Sequence, residues 1–230
     1  MAKKKDKNSK SNKIIPTILA WILYIIWILK FNTITPTVFN FLMHLLFLAI
    51  IILIFKDDLI LGFKKLKNSK KKSRFEIILY FLVFIGIMVL SNILISIITN
   101  VLGMNFIQDS SNDIISKVFN IIPYGTLFVC FLTIIFYPLV EELIFRKSLR
   151  PALKNNVLFI IVTSLLSWYF QVTLLNPHIS EFILAIQTLL NSVFAAIIYV
   201  RTNNILYTIS SRMLYNLFIC IIQLGYLFLN

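Results

Sequence analysis

Seven long apolar runs separated by polar stretches set the pattern of the chain, at roughly 14–31, 38–55, 75–97, 122–143, 157–175, 181–200 and 204–227. A helix of about 20 apolar residues crosses the hydrocarbon layer of a bilayer, so each run predicts a transmembrane helix. The stretch 100–120 interrupts the pattern. Gly103, Asn105, Gln108, Asp109, Ser110, Ser111, Asn112 and Asp113 mark it as a polar outer connection with room for an interfacial helix. No internal repeat and no Gly/Ser linker divides the chain. The pattern predicts an all-α polytopic bundle of about seven spans forming a single transmembrane domain, 14–230. Residues 1–13, basic and too polar to pack, are expected to be a disordered cytoplasmic N-terminus.

Composition strengthens the membrane reading. Of 230 residues, 59% are hydrophobic and 13% charged, more apolar surface than a soluble domain of this size can hide. The charge is uneven: 22 Lys and Arg against 9 Asp and Glu leave a formal net charge of +13. On a soluble chain that excess would suggest nucleic acid. Here the basic residues fall between apolar runs, in alternate loops, as in cytoplasmic segments facing anionic lipid. Lys3 to Lys13, Lys56 to Arg74, Arg146 to Lys154 and Arg201 define one side, while the other loops are nearly uncharged or slightly acidic. Seven spans with the N-terminus in the cytoplasm fit every loop, and an eighth would place a basic loop outside. The segment Phe31 to Thr37 lacks a small-x-small cleavage site, so the first span reads as an uncleaved anchor. The expected partner is the lipid bilayer, with no nucleic acid.

Candidate chemistry then rests on the few ionisable residues inside the runs, since each costs several kcal/mol to bury in lipid. The fourth run ends Tyr137-Pro-Leu-Val-Glu141-Glu142-Leu-Ile-Phe-Arg146. Glu142 and Arg146 are one turn apart and can pair. Glu141 lies about 100° round the helix and is left to face the bundle interior. In the seventh run Arg212 stands well inside apolar sequence, with Thr208, Asn216 and Gln223 on its face. Ser164, Ser167 and Gln171 in the fifth run, and Gln187 and Asn191 in the sixth, add milder stripes. Four spans thus converge on one polar centre. His44 reads as structural, and His178 lies in an outer loop away from the glutamates. Cys130 and Cys220 read as small apolar packing residues with no disulfide framework and no metal spacing. Gly-rich phosphate loops, His-Glu-x-x-His and Gly-x-Ser-x-Gly are absent.

These residues carry a family resemblance. Glu141-Glu142-Leu-Ile-Phe-Arg146, with Lys-Ser-Leu-Arg-Pro-Ala-Leu153 after it, resembles the EExxxR signature of the CPBP family. That family comprises CAAX-processing intramembrane endopeptidases, bacteriocin-processing and immunity (Abi) proteins, and lysostaphin-resistance-type proteins. Thr163-Ser-Leu-Leu166, Tyr199-Val-Arg-Thr-Asn-Asn-Ile-Leu206 and Ile209-Ser-Ser-Arg-Met-Leu-Tyr-Asn216 are similar to the motifs that follow in the family. The resemblance covers roughly residues 120–220. It implies a centre in which a glutamate and two histidines surround a water, with an asparagine as oxyanion donor.

The departures bear directly on activity. In register with FxxxH and HxxxN, this chain has Ser167-Trp-Tyr-Phe-Gln171 and Arg212-Met-Leu-Tyr-Asn216. Gln171 and Arg212 therefore stand where the resemblance implies histidines, while Glu141, Glu142, Arg146 and Asn216 remain. Neither glutamine nor arginine takes a proton from water, and neither is a good zinc ligand. A guanidinium close to Glu141 would also weaken it as a base. No cofactor is expected, and zinc only if the family site were kept. The resulting expectation is a catalytically degenerate CPBP-like protein in a bacterial plasma membrane. It would act as scaffold, regulator or immunity-type factor on another membrane protein or cell-envelope enzyme. The alternatives are an active intramembrane endopeptidase using Glu141 to activate water, and a small transporter or lipid-binding protein. Against transport stands the lack of an inverted repeat or paired Gly/Pro-interrupted spans.

Overall fold

The structure, a computed structural model, describes residues 2–31, 38–68, 70–101, 125–173 and 179–229. Within them, the side chains of 2–15, 31, 70–71, 171–173, 179–184 and 226–229 fall outside the description. His178 and the stretch 102–124, including most of the expected outer connection, also lie outside it.

All described elements are helical: α1 Ala2–Phe31, α2 Val38–Ile54, α3 Lys56–Asn68, α4 Lys70–Val101, α5 Gly125–Lys147, α6 Asn156–Thr173, α7 Ile179–Thr202 and α8 Ile205–Leu229. Lys72–Val101, Gly125–Lys147, Ala185–Thr202 and Ile205–Gly225 are long and apolar enough to cross a bilayer, and the bent pair α2–α3 supplies a fifth candidate span. The apolar stretches Pro16–Lys30 of α1 and Asn156–Phe170 of α6 occupy the places of the first and fifth predicted runs. The chain is an all-α, multi-pass membrane protein with four to five helices of full spanning character among the described residues.

Two differences from the sequence pattern stand out. Helix α1 begins at Ala2, so its backbone continues through the basic stretch that composition assigned to disorder. Lysine is a good helix former, and nothing in that stretch breaks a helix before Pro16. The basic stretch after α2 is likewise not a plain loop. Its first part is α3, turned 74° from α2. Leu59 and Gly62 face the protein while Ile60, Leu61 and Phe63 are exposed beside Lys64 and Lys65. Such a helix suits the interfacial plane, where lysine stems reach headgroups over an apolar face.

Exposed apolar side chains cover the bundle where lipid replaces water. Only 11% of the α4 window is buried, against 50% for α5. Helix α5 is thus the central element, packed against α1, α6 and α8. Phe136, Leu143, Ile144 and Phe145 have no exposed surface. Trp21 and Tyr24 of α1 meet Phe145 edge-on, both at 5.4 Å between ring centroids. His44 is enclosed in the same core. Its Nδ1 lies 2.7 Å from the Asn40 carbonyl, and rings of Trp27, Phe128 and Phe136 surround it at 4.9 to 5.5 Å.

Candidate functional site

Helix α5 is not a uniform α-helix. It widens into π-helical turns at Leu132–Phe136 and Glu142–Lys147, on either side of a short α segment, Tyr137–Glu141. The first turn has a local cause. Pro138 has no N–H, and its ring clashes with the carbonyl four residues back in ordinary helix geometry. Lengthening the preceding turn relieves that clash, and the Tyr137 N–H goes to Leu132 O. Such turns cost regular hydrogen bonds and concentrate at functional sites.

The glutamates sit where the second π turn begins. Glu142 has no exposed surface and Glu141 is 6% exposed. Arg212 of α8 reaches both: Nη2 donates to Glu141 Oε2 and Nη1 to Glu142 Oε1, each at 2.7 Å. One guanidinium therefore spans two carboxylates from adjacent residues, using the fixed fork that arginine has and lysine lacks. Arg146 stands one turn beyond Glu142, its Nη1 3.5 Å from Glu142 Oε1. Its Nη2 donates to the Ser192 carbonyl at 3.1 Å and to the Ser192 hydroxyl. Two carboxylates and two guanidiniums leave the cluster formally neutral, which is the condition for burying four charges together.

Glu142 Oε2 and the Nε and Nη1 of Arg146 are buried without a hydrogen-bond partner among the described residues. The cluster is charge-balanced but not fully hydrogen-bonded. Chemically, Arg212 engages an oxygen of each carboxylate, and Glu142 has no surface open to an attacking water.

Residues 123–218 match the family model described as type II CAAX prenyl endopeptidase Rce1-like. This match supports membership of the CPBP family, in agreement with the motifs carried by Glu141–Arg146 and the residues after them. No curated protein and no solved structure matches the chain.

The polar positions read from the sequence separate into two groups. Glu141, Glu142, Arg146 and Arg212 come together. Asn216 instead turns to the backbone of α5, its Nδ2 donating to Thr133 O at 2.6 Å. That carbonyl is the one the first π turn strands, since the Tyr137 N–H is committed to Leu132 and Pro138 has none. Gln187 Nε2 donates to the Tyr215 hydroxyl at 3.2 Å, a link between α7 and α8. Ser164 and Ser167 are buried, as the stripe on α6 predicts, and Ser164 Oγ lacks a partner among the described residues. Thr208 turns back to the Ile205 carbonyl at 2.7 Å. Gln223 is exposed, so the inward stripe of α8 ends before it. Gln171 lies on α6 with its side chain outside the description.

Sequence reasoning missed Ser192, the partner of Arg146. Its neighbour Asn191 drew attention instead, because amides stand out in an apolar run and serines do not. It also gave Cys130 and Cys220 no relation, yet their Sγ atoms lie 3.0 Å apart, both reduced. Among the described residues no cluster of three or more His, Cys, Asp or Glu is placed to hold a metal.

Proposed function

We propose that this CPBP-family membrane protein is catalytically degenerate and acts by binding another membrane protein, as scaffold, regulator or immunity-type factor. The observation that carries this reading is the double clamp of Arg212 on Glu141 and Glu142. In the register implied by the family resemblance, Arg212 occupies the second histidine position and Gln171 the first. A general base must be able to take a proton from water, and a guanidinium held between the two carboxylates opposes that role. Asn216, the residue aligned with an oxyanion donor, is engaged with Thr133 O. A CPBP chain with its carboxylates sealed keeps a shaped membrane surface but no evident hydrolytic centre. The Lys-, Asn- and Ile-rich composition fits an AT-rich bacterial genome, and the reading places the protein in a bacterial plasma membrane.

The test uses the full chain purified in detergent or lipid. It should leave prenylated and membrane-anchored peptides uncleaved, and Glu141→Ala should keep biological activity provided the fold survives. Robust proteolysis that Glu141→Gln abolishes, with expression and thermal stability unchanged, overturns the reading in favour of an active endopeptidase.

A further inference from the structure

A cavity of about 200 Å³ lies between Pro16 and Thr17 in the middle of α1, the α2–α3 elbow and the ends of α5 and α7. Ile54 and Phe55 give it an apolar wall, while Asp58, Lys147, Arg150 and Tyr199 bring polar groups to its lining. Its level in the bundle is fixed by the chain itself. Pro16 lies near the start of the apolar run 14–31 in α1, α5 ends at Lys147 and α7 at Thr202, so the cavity lies where apolar sequence gives way to basic sequence. The lysines of α3 emerge at the same end.

The charges of the described lining residues do not cancel. Lys147 Nζ meets Asp58 Oδ1 at 2.8 Å, with about a quarter of each side chain exposed. Arg150 is held without a carboxylate among the described residues: Nη2 donates to Asn156 Oδ1 at 2.7 Å and the guanidinium stacks 5.0 Å over the Phe159 ring. Its Nη1 is enclosed and has no hydrogen-bond partner among the described residues. Among the described residues, two cations stand against one carboxylate at a site with an apolar wall. A fixed guanidinium without a counter-ion favours an anion, and arginine matches phosphate geometry. The volume admits a phosphate with its ester carbons.

We propose that this cavity binds a singly charged phosphate ester, presented as the headgroup of an anionic phospholipid. The apolar wall and the interfacial level select the lipid form over free phosphate.

The full chain in neutral detergent would be titrated separately with phosphatidylglycerol, phosphatidylcholine and inorganic phosphate, and bound adducts counted by native mass spectrometry. Phosphatidylglycerol should be retained in preference to phosphatidylcholine. Arg150→Gln should weaken phosphatidylglycerol binding about fivefold, the scale of one basic residue at a membrane surface. Asp58→Asn removes the opposing charge and should strengthen that binding by a similar factor, a direction that misfolding cannot imitate. If Arg150→Gln fails to fold, Asp58→Asn decides alone. Equal retention of the two lipids, no gain in Asp58→Asn, or displacement of the lipid by inorganic phosphate alone overturns the proposal.

Discussion

Arg212 donates through Nη1 to Glu142 Oε1 at 2.7 Å, joining α8 to α5 across 70 positions of sequence. The same guanidinium holds Glu141, so the seam between the two helices is tied by charge at the level of the second π turn. Removing one partner of a buried ion cluster leaves an uncompensated charge, which is the costly event, whereas removing balanced charges together costs much less.

Arg212→Met should therefore lower stability by about 3–5 kcal/mol. Adding Glu141→Gln should restore most of that loss, because Glu142 and Arg146 then balance one another. Arg212→Lys should recover only part, since one ammonium cannot reproduce the two-armed fork. Thermal unfolding of the four proteins in lipid nanodiscs checks the series. An Arg212→Met protein as stable as the wild type would show that the clamp holds nothing.

Asn216 has a different task, that of filling the carbonyl stranded by Pro138. Asn216→Ala should cost about 1–3 kcal/mol, the penalty for a buried acceptor left unpaired. Pro138→Ala supplies an N–H within reach of Thr133 O, so the same Asn216→Ala change should cost less in that background. A double-mutant cycle measures the difference. Purely additive losses would mean that the proline and the amide act independently.

How much of this was legible in the sequence follows from how each feature is enforced. Glu141, Glu142 and Arg212 were readable because a charge in an apolar run must find a partner. A guanidinium close to Glu141 was within reach of the sequence, while both carboxylates sharing one guanidinium was not. The all-helical membrane architecture was readable because backbone groups in lipid must be satisfied within the segment. Helix α3 was read as loop, since counting lysines locates a cytoplasmic segment without saying whether it is helical. The π turns leave no period in the sequence; only Pro138 hinted at irregularity. The role of Asn216 depends on those turns and could not be seen without them.

Gly62 marks the place where α3 approaches the start of α8. A Cβ there would meet Asn204 Oδ1 at 2.7 Å and Leu206 Cδ1 at 3.1 Å. Asn204 has little freedom to move: its Oδ1 accepts the Leu206 N–H at 3.2 Å, and its Nδ2 donates to Gly62 O at 3.2 Å. Gly62→Ala should thus destabilise by about 1–3 kcal/mol through overpacking, despite the better helix propensity of alanine. Gly86, on α4, has nothing within 4 Å of the corresponding Cβ and serves as control. Gly86→Ala should be neutral or stabilising by up to about 1 kcal/mol. Denaturation midpoints of the two variants should move apart; equal shifts would sink the close-approach argument.

The α5–α8 seam can also be tested directly in the membrane through Cys130 and Cys220. Their contact, the Asn216–Thr133 bond and the Arg212 clamp occur in reverse order along the two helices, as antiparallel neighbours require. Copper–phenanthroline should accept one electron from each of the two thiols, release two protons and leave an intramolecular disulfide, since Sγ atoms 3.0 Å apart need little movement to bond. Loss of two free thiols, with a monomer of increased gel mobility, is the expected readout, and Cys130→Ser or Cys220→Ser should each abolish it. Because the link joins the helices that carry the carboxylates and Arg212, the oxidised protein should also unfold at higher temperature than the reduced one. Efficient cross-linking only between chains, with no intramolecular product, would mean that these two helix faces do not meet within one molecule.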